Sequence, residues 1–395
     1  MTKSTRRRKS LLVLLASTSL LAAAACGGSG TGGGDGGGTS DGGGSGSSGA
    51  TGDWVAAADL DLSDLGFSSD VEDELRSLYQ AAQDNDETTI MMYAANNELR
   101  RPLFDAFSER FPGITIEYTE LVGAQLQATF EAEKSTGRHI GDYHESPNGA
   151  KYADAGYFQP YNPPAFEMPS GLTENLQTQI QDPDHLYTAA QWAMFGVGVN
   201  TEHMDVADIP RRWEDFADPQ WEGKLVMHDP TVPGGGNGIL TRLSASGSID
   251  EETLAGIAQN VALKGDFGQV HQSLAQGEYP VMLAMDSPST VVNKAQGVPI
   301  EIVFMEENNV AMAQQMSILE GAPHPNATKL WMNWSFSQEA QALMAEQGNT
   351  PITEVESPHG LPTFENANLA DLPTQDVLDA ETPGLTDLYK TLFGR

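Results

Sequence analysis

The chain has one cysteine, Cys26, in 395 residues. A disulfide within the chain needs two, and a Cys-ligated zinc site needs more, so both are excluded. Basic residues are scarce: 21 Lys and Arg stand against 55 Asp and Glu, a formal net charge of −34. Nucleic-acid binding rests on basic patches that neutralise phosphates, and this balance excludes it. The acidity keeps a protein soluble outside the cell and draws cationic solutes toward it. Catalytic signatures are missing too. Outside the glycine-rich residues 27–52 there is no Gly-x-Ser-x-Gly, and the chain holds no Ser-x-x-Lys, His-Glu-x-x-His or Walker loop. The eight histidines are scattered, and pairs of acids carry no information in so acidic a chain. No internal repeat is visible.

What the chain does have begins at its start. Lys3, Arg6, Arg7, Arg8 and Lys9 precede an apolar stretch over residues 11–25. That is the n-region and h-region of a secretory signal, too short and too rich in Ser and Ala for a membrane span. The triple arginine leaves the general and the twin-arginine export routes both open. The stretch ends Leu21-Ala22-Ala23-Ala24-Ala25-Cys26, which resembles the lipobox of bacterial lipoproteins. The resemblance implies cleavage before Cys26 and a diacylglycerol on its thiol, leaving no free thiol. Residues 26–52 are then a lipidated Cys and a Gly-rich tether, with a mean reach on the order of 25–30 Å.

Residues 53–87 are acidic and read as one or two short helices on the outside of a first lobe. Residues 88–93 and 114–118 read as buried strands, with helices over 99–111 and 125–134 and a short strand ending near His144. Strand, helix, strand at this spacing argues for βαβ units and a mostly parallel sheet. Residues 187–200 are long, apolar and punctuated by glycine. A second alternating region follows, with strands at 224–228, 279–285 and 300–304 and helices at 239–244 and 250–264. Residues 310–319 are extended and apolar, 326–336 and 337–347 helical, and a last helix is expected near 385–392. The fold class is α/β in two lobes. The boundaries are 88–190 and 310–350 for lobe 1, 191–309 for lobe 2, and 351–395 for a C-terminal segment packing across both.

Three segments carry a family resemblance. Phe195-Gly196-Val197-Gly198-Val199-Asn200 is similar to the crossover strand by which solute-binding proteins of ATP-binding-cassette importers enter their second lobe. Residues 212–225, Arg-Trp-Glu-Asp-Phe-Ala-Asp-Pro-Gln-Trp-Glu-Gly-Lys-Leu, resemble a second family run, with Phe216 for the usual Leu and Glu222 for the usual Lys. Gly321-Ala322-Pro323-His324-Pro325-Asn326-Ala327-Thr328-Lys329 and Ser337-Gln338-Glu339-Ala340-Gln341 resemble a third. The branch holds ferric-iron, polyamine, thiamine and phosphonate binders. It implies a periplasmic-binding-protein-like fold of type II, with two hinge crossovers and a ligand cleft. It also implies a non-enzymatic role: capture of a small molecule or metal complex by hinge closure, and delivery to a membrane permease. The protein is then a monomer on the extracellular face of the cytoplasmic membrane, held by its lipid and needing no cofactor.

Ligands of open α/β sheets sit at the carboxyl ends of strands, near helix N-termini. The residues so placed are Asn96, Asn97 and Glu98; Tyr143, Glu145 and Ser146; Asn237 in a glycine loop; and Asp286 with Ser287. Trp192 joins Tyr143 as an aromatic wall. Asn96 and Asn97 suit helix capping equally, and the glycine loop suits a plain turn or an anion. His139 and His144 beside Asp142 and Glu145 leave a metal open. The family's ferric binders place adjacent tyrosines where Met285-Asp286-Ser287 stands here, and no Tyr-Tyr pair exists in the chain. A secreted hydrolase and a ligand-presenting surface sensor are the competing classes. Trp213, Phe216, Trp221, Trp331 and Trp334 read as packing residues.

Overall fold

The computed structural model describes residues 53–394 except 95, 96, 122, 233, 364 and 365. The expected signal, Cys26 and tether lie outside the described residues. Eleven strands form one sheet: β1 (Thr89–Ala94), β2 (Thr115–Glu120), β3 (Tyr143–Ser146), β4 (Phe158–Gln159), β5 (Thr188–Asn200), β6 (Leu225–His228), β7 (Val261–Lys264), β8 (Val281–Asp286), β9 (Ile300–Val303), β10 (Val310–Leu319) and β11 (Thr350–Pro351). The order along the main path is β2-β1-β3-β10-β5-β8-β6-β7. Helices alternate with them: α1 (Ser69–Asp84), α2 (Arg101–Arg110), α3 (Gly123–Thr136), α4 (Gly149–Asp154), α5 (Glu174–Ile180), α6 (Gly235–Ala245), α7 (Glu251–Asn260), α8 (Phe267–Ala275), α9 (Ser287–Ala295), α10 (Pro325–Trp334), α11 (Gln338–Glu346) and α12 (Gln375–Phe393).

The pairing divides this sheet into two lobes. β2, β1 and β3 are parallel to one another, as are β7, β6 and β8. Between the two sets run β5 and β10, antiparallel to each other from Val310↔Phe195 to Met316↔Thr188. Past that shared stretch each strand serves a different lobe. β10 continues along β3, with Ile318 opposite Tyr143, and β5 continues along β8 and β9, with Val199 opposite Val281 and Glu301. Register shifts at Gln314/Gln315 in β10 and at Gly196/Val197 in β5 mark where the crossing strands change partner. An irregularity of that kind bends and twists a strand locally.

Each lobe buries its own core. In the first, Phe107 on α2 meets the edges of Trp331 and Trp334 on α10 at 5.2 and 5.5 Å, over Ile90, Met92, Tyr143 and Trp192 of the sheet. Trp331 and Trp334 are three residues apart on one helical face, which turns both inward. α1 covers this core with Leu75, Leu78, Tyr79 and Ala82. In the second lobe Trp213, Phe216 and Trp221 are buried against Leu254 and Ile257 of α7, and Asn260 ties their loop by donating to the carbonyls of Phe216 and Asp218. The C-terminal segment contributes to both cores: Ala367, Ala370 and Leu372 to the first, Tyr389 and Phe393 to the second.

Three expectations need correction. The sheet is mixed rather than mostly parallel, because the two long crossing strands β5 and β10 pair antiparallel with all their neighbours. The helix expected over 250–264 stops at Asn260, and residues 261–264 are an edge strand parallel to β6. Val261-Ala262-Leu263 continues the apolar pattern of α7, so periodicity cannot mark the change. The final helix is also far longer than 385–392, because it runs through Pro383. An interior proline costs a helix about 3 kcal/mol. Burial of Leu378, Tyr389 and Phe393 on both sides of it offsets that cost, and the Thr382 hydroxyl bonds the Leu378 carbonyl at 2.6 Å beside the break.

Candidate ligand cleft

The register brings two strand ends face to face. β3 comes along β10 from one lobe and ends with Ser146 opposite Gln315. β8 comes along β5 from the other lobe and ends with Asp286 opposite Phe195. Their carboxyl ends therefore point toward each other, separated by the shared middle of β5 and β10. Each wall is bonded to β5 there. On the lobe-1 side Gln191 Nε2 donates to Glu145 Oε1 at 3.0 Å. On the lobe-2 side the Met194 amide donates to Ser287 Oγ at 3.2 Å.

The lobe-1 wall is a closed polar network. Glu145 is buried and accepts from Arg100, from Tyr143 Oη at 2.6 Å and from Gln191. Burial pulls the Arg100 guanidinium down, with Tyr143 pulling the other way. Gln191 Oε1 is enclosed without a partner. Next in the chain, His144 is fully buried, with Nδ1 2.7 Å from the Tyr93 carbonyl and Nε2 2.9 Å from Ser146 Oγ. Burial, opposed by the bond to Tyr93, pushes this imidazole down to about 4. Asp142 is buried as well, accepting from the Met91 amide and from the amide and ring of His324. Of the residues that left a metal open, Asp142, His144 and Glu145 are thus held by protein hydrogen bonds, while His139 lies away from them beside Gly321. Among the described residues no three His, Cys, Asp or Glu come together to hold a metal ion.

The lobe-2 wall is built from helix N-termini. β7, β6 and β8 are parallel, so α8, α6 and α9, which follow them, all begin at the same edge of the sheet. Such ends carry unpaired N–H groups and the positive pole of the helix dipole. Asp286 caps α9 through Oδ1, which accepts from the Ser289 amide at 2.8 Å. Its Oδ2 has no partner and lies 3.9 Å from His271 Nε2, also unpartnered. Burial holds His271 below the ordinary imidazole range despite the pull of Asp286. The His271 ring lies 4.5 Å from that of Phe267, which stands 6.1 Å from His228. The glycines of α6 are needed at this approach: a Cβ on Gly236 would sit 2.0 Å from the His228 carbonyl oxygen.

The expected site residues divide between these walls and the cores. Asp286 and Ser287 are at the lobe-2 strand end, Glu145 and Ser146 at the lobe-1 end. Ser146 is engaged by His144 and by the Asn148 amide. The expected aromatic wall is not a surface: Tyr143 and Trp192 are fully enclosed in the lobe-1 core. Asn237 is buried too, donating to the Pro230 carbonyl and to Thr386 Oγ1 of α12, both at 2.9 Å. Asn96 lies outside the described residues. Asn97 and Glu98 open the short 3-10 helix Asn97–Arg100, and their side chains lie outside the described part. Sequence reasoning missed Arg100, Gln191 and His271, which belong to no motif whose spacing would single them out.

Residues 137–380 match the family model of the bacterial extracellular solute-binding proteins. The chain belongs to that family. A relative from Haemophilus influenzae, described as an uncharacterized protein, is 25% identical over 207 residues, 51% of this chain and 59% of its own length. The chain thus spans about six-tenths of that relative. Iron-bound HitA from Pseudomonas aeruginosa superposes with a TM-score of 0.64 at 15% identity, covering 77% of this chain and 99% of its own. AfuA from Actinobacillus pleuropneumoniae with fructose-6-phosphate bound does so at 0.60 with 20% identity, over 78% and 96%. At such identities the likeness is one of fold, a type II periplasmic binding protein. The family and these neighbours are binding proteins rather than enzymes. Among the described residues no helix is long and apolar enough to cross a membrane.

Proposed function

We propose that this solute-binding protein captures a small solute between its lobes by hinge closure and delivers it to the permease of an ATP-driven importer. It acts as a monomer on the outer face of the cytoplasmic membrane, anchored through Cys26. The observation that carries this reading is the attachment of the two walls to one strand. Glu145 reaches β5 at Gln191 and Ser287 reaches it at Met194, so bending β5 and β10 between these points moves one wall against the other. Hinges of this kind absorb the motion in a few residues while each lobe stays rigid. The separate cores of the lobes support such rigidity. The neighbours carry iron or a sugar phosphate in their titles, so ferric citrate and fructose 6-phosphate join spermidine, thiamine and a phosphonate in the panel. Small-angle scattering tests the proposal: a bound solute contracts the particle and raises its melting temperature by mass action. An unchanged scattering profile with a solute that does raise the melting temperature would rule out hinge closure.

A further inference from the structure

The two lobes meet beside the strand that joins them. β10 occupies one edge of β5 from Gln191 to Phe195, so β11 and β8, which pair with these same residues, share the other edge. β11 comes from the first lobe and reaches Trp192; β8 comes from the second and reaches Phe195. Only Ala193 and Met194 lie between the two attachments. Gly348, just before β11, stands against the start of α9, just after β8. A Cβ on Gly348 would sit 2.7 Å from Val291 Cγ2, 3.0 Å from the Ser287 carbonyl oxygen and 3.1 Å from Pro288 Cα. The backbone of one lobe thus rests on the first turns of a helix of the other.

Both sides of this contact are fixed. α11 is built into the first core through Ala340 and Met344. Its Gln341 clamps the exit: Nε2 donates to the Ala190 carbonyl of β5 at 2.9 Å, and Oε1 accepts from the Ile352 and Thr353 amides at 2.8 and 3.1 Å. The segment from Gly348 to Pro351 gives way only by breaking buried hydrogen bonds. On the other side, the Met194 amide holds Ser287, Asp286 caps α9, and Lys294 pairs with Glu301 of β9 at 2.7 Å. The gap is therefore set by the course of β5 past Ala193 and Met194.

Helix termination alone also selects glycine here. Gly348 has φ +84°, its amide donates to the Ala345 carbonyl, and the Asn349 amide donates to that of Met344. α9 ends in the same way at Gly297, with φ +81° and amide bonds from Gly297 to Lys294 and from Val298 to Asn293. Glutamine precedes the glycine in both. At Gly297, however, no described atom lies within 4 Å of the place a Cβ would take. The backbone conformation is shared, and the contact with the other lobe is not.

We infer that Gly348 is the pivot of the hinge: the start of α9 turns on its backbone, and the lack of a side chain there fixes the angle between the lobes. This rests on the hinge-closure reading above and locates the joint that closure needs. A side chain at 348 would have to move Val291 from 2.7 Å to ordinary carbon contact at about 3.5–4.0 Å. That is a wedge of about 1 Å. The wedge acts one strand spacing from β5, so the far ends of the lobes swing several times as far.

The test compares the whole protein with Gly348→Asn and Gly297→Asn, asparagine being a side chain that tolerates left-handed backbone. Spin labels at two exposed positions, Asp105→Cys on α2 and Glu252→Cys on α7, report the distance between the lobes in a Cys26→Ser background. The distance is measured first without solute. Gly348→Asn should shift it by about 2 Å or more, and Gly297→Asn should leave it at the parent value. A Gly348→Asn that melts lower but keeps the parent distance would make the glycine a helix terminator alone and overturn the inference. An equal shift in Gly297→Asn overturns it, as does a Gly348→Asn that fails to fold where Gly297→Asn folds, since a pivot would turn to admit the side chain. Ferric citrate, fructose 6-phosphate and spermidine are then added to the parent. A probe that raises the melting temperature without moving the labels would remove solute-driven closure, while the comparison made without solute still decides the pivot.

Discussion

Acid should unfold this protein through His144 before most of its carboxylates are protonated. The ring is fully enclosed, stacked at 24° on Phe158 and met edge-on by Phe130 and Tyr152. Its Nδ1 faces the Tyr93 carbonyl, so that nitrogen carries the proton and Nε2 accepts from the Ser146 hydroxyl. Ser146 in turn accepts from the Asn148 amide. A proton added at Nε2 would face the hydroxyl proton of Ser146 and a cavity of aromatic rings. This is why burial lowers the imidazole from 6.5 to about 4. The folded value lies below the unfolded one, so the unfolded chain binds the proton first. The neutral ring's stabilisation is complete above the unfolded value and is lost as the pH falls from about 6.5 to about 4. At 1.36 kcal/mol per pH unit the loss comes to about 3 kcal/mol. Urea unfolding of the parent and of His144→Gln from pH 7.5 to 4 measures it. Glutamine can donate to Tyr93 and accept from Ser146 but cannot titrate. The parent's stability relative to the variant should fall by about 3 kcal/mol across that range. Parallel curves would show that the ring titrates normally and that the burial argument is wrong.

Other consequences can be measured alongside. Glu145→Ala leaves Arg100 buried without its acid, which should cost about 3–5 kcal/mol in denaturant unfolding; a loss below 1 kcal/mol would mean that water reaches the guanidinium. Gly236→Ala places a methyl 2.0 Å from the His228 carbonyl oxygen and should destabilise by ~3 kcal/mol or more through backbone displacement; unchanged melting would refute so close an approach. His324 donates to Asp142, which raises its pKa against the opposing effect of burial. Its contribution is full below the ordinary imidazole value and disappears as the pH rises through the raised one. The parent should therefore lose stability relative to His324→Gln above about pH 6.5, and a flat difference up to pH 9 would contradict it.

Much of the fold was legible because a strand covered on both faces, parallel or antiparallel, reads as a near-continuous apolar run. Thr88 to Tyr93, residues 187–200 and residues 310–319 show this, and strands stand there. The misread elements share one cause. At Val261 and at Pro383 local chemistry signals one outcome and tertiary contact imposes another: a place beside β6 for the first, the packing of Tyr389 and Phe393 for the second. The site was less legible, because a polar residue's role depends on partners far along the chain. Asn237 looks like a loop ligand until Thr386 is placed against it. Ser146 looks free until the neighbouring ring turns toward it. Arg242 reads as a surface cation until it is found buried on α6.

The order in which the chain visits the lobes affects its biosynthesis. Lobe 2 is inserted between β5 and β10, so the first lobe is closed by parts made last. Phe107 and Phe104 wait for Trp331 and Trp334, and the strip from Ala367 to Leu372 comes later still. A nascent chain that ends before β10 has made β1, β2 and β3 but lacks the strand and the tryptophans that cover them. Contacts so distant in sequence form slowly, since loop closure must precede them. The first half thus stays open while the rest is synthesised. On the general export route, which takes chains unfolded, such a delay would keep this one competent until its last helices had followed it out.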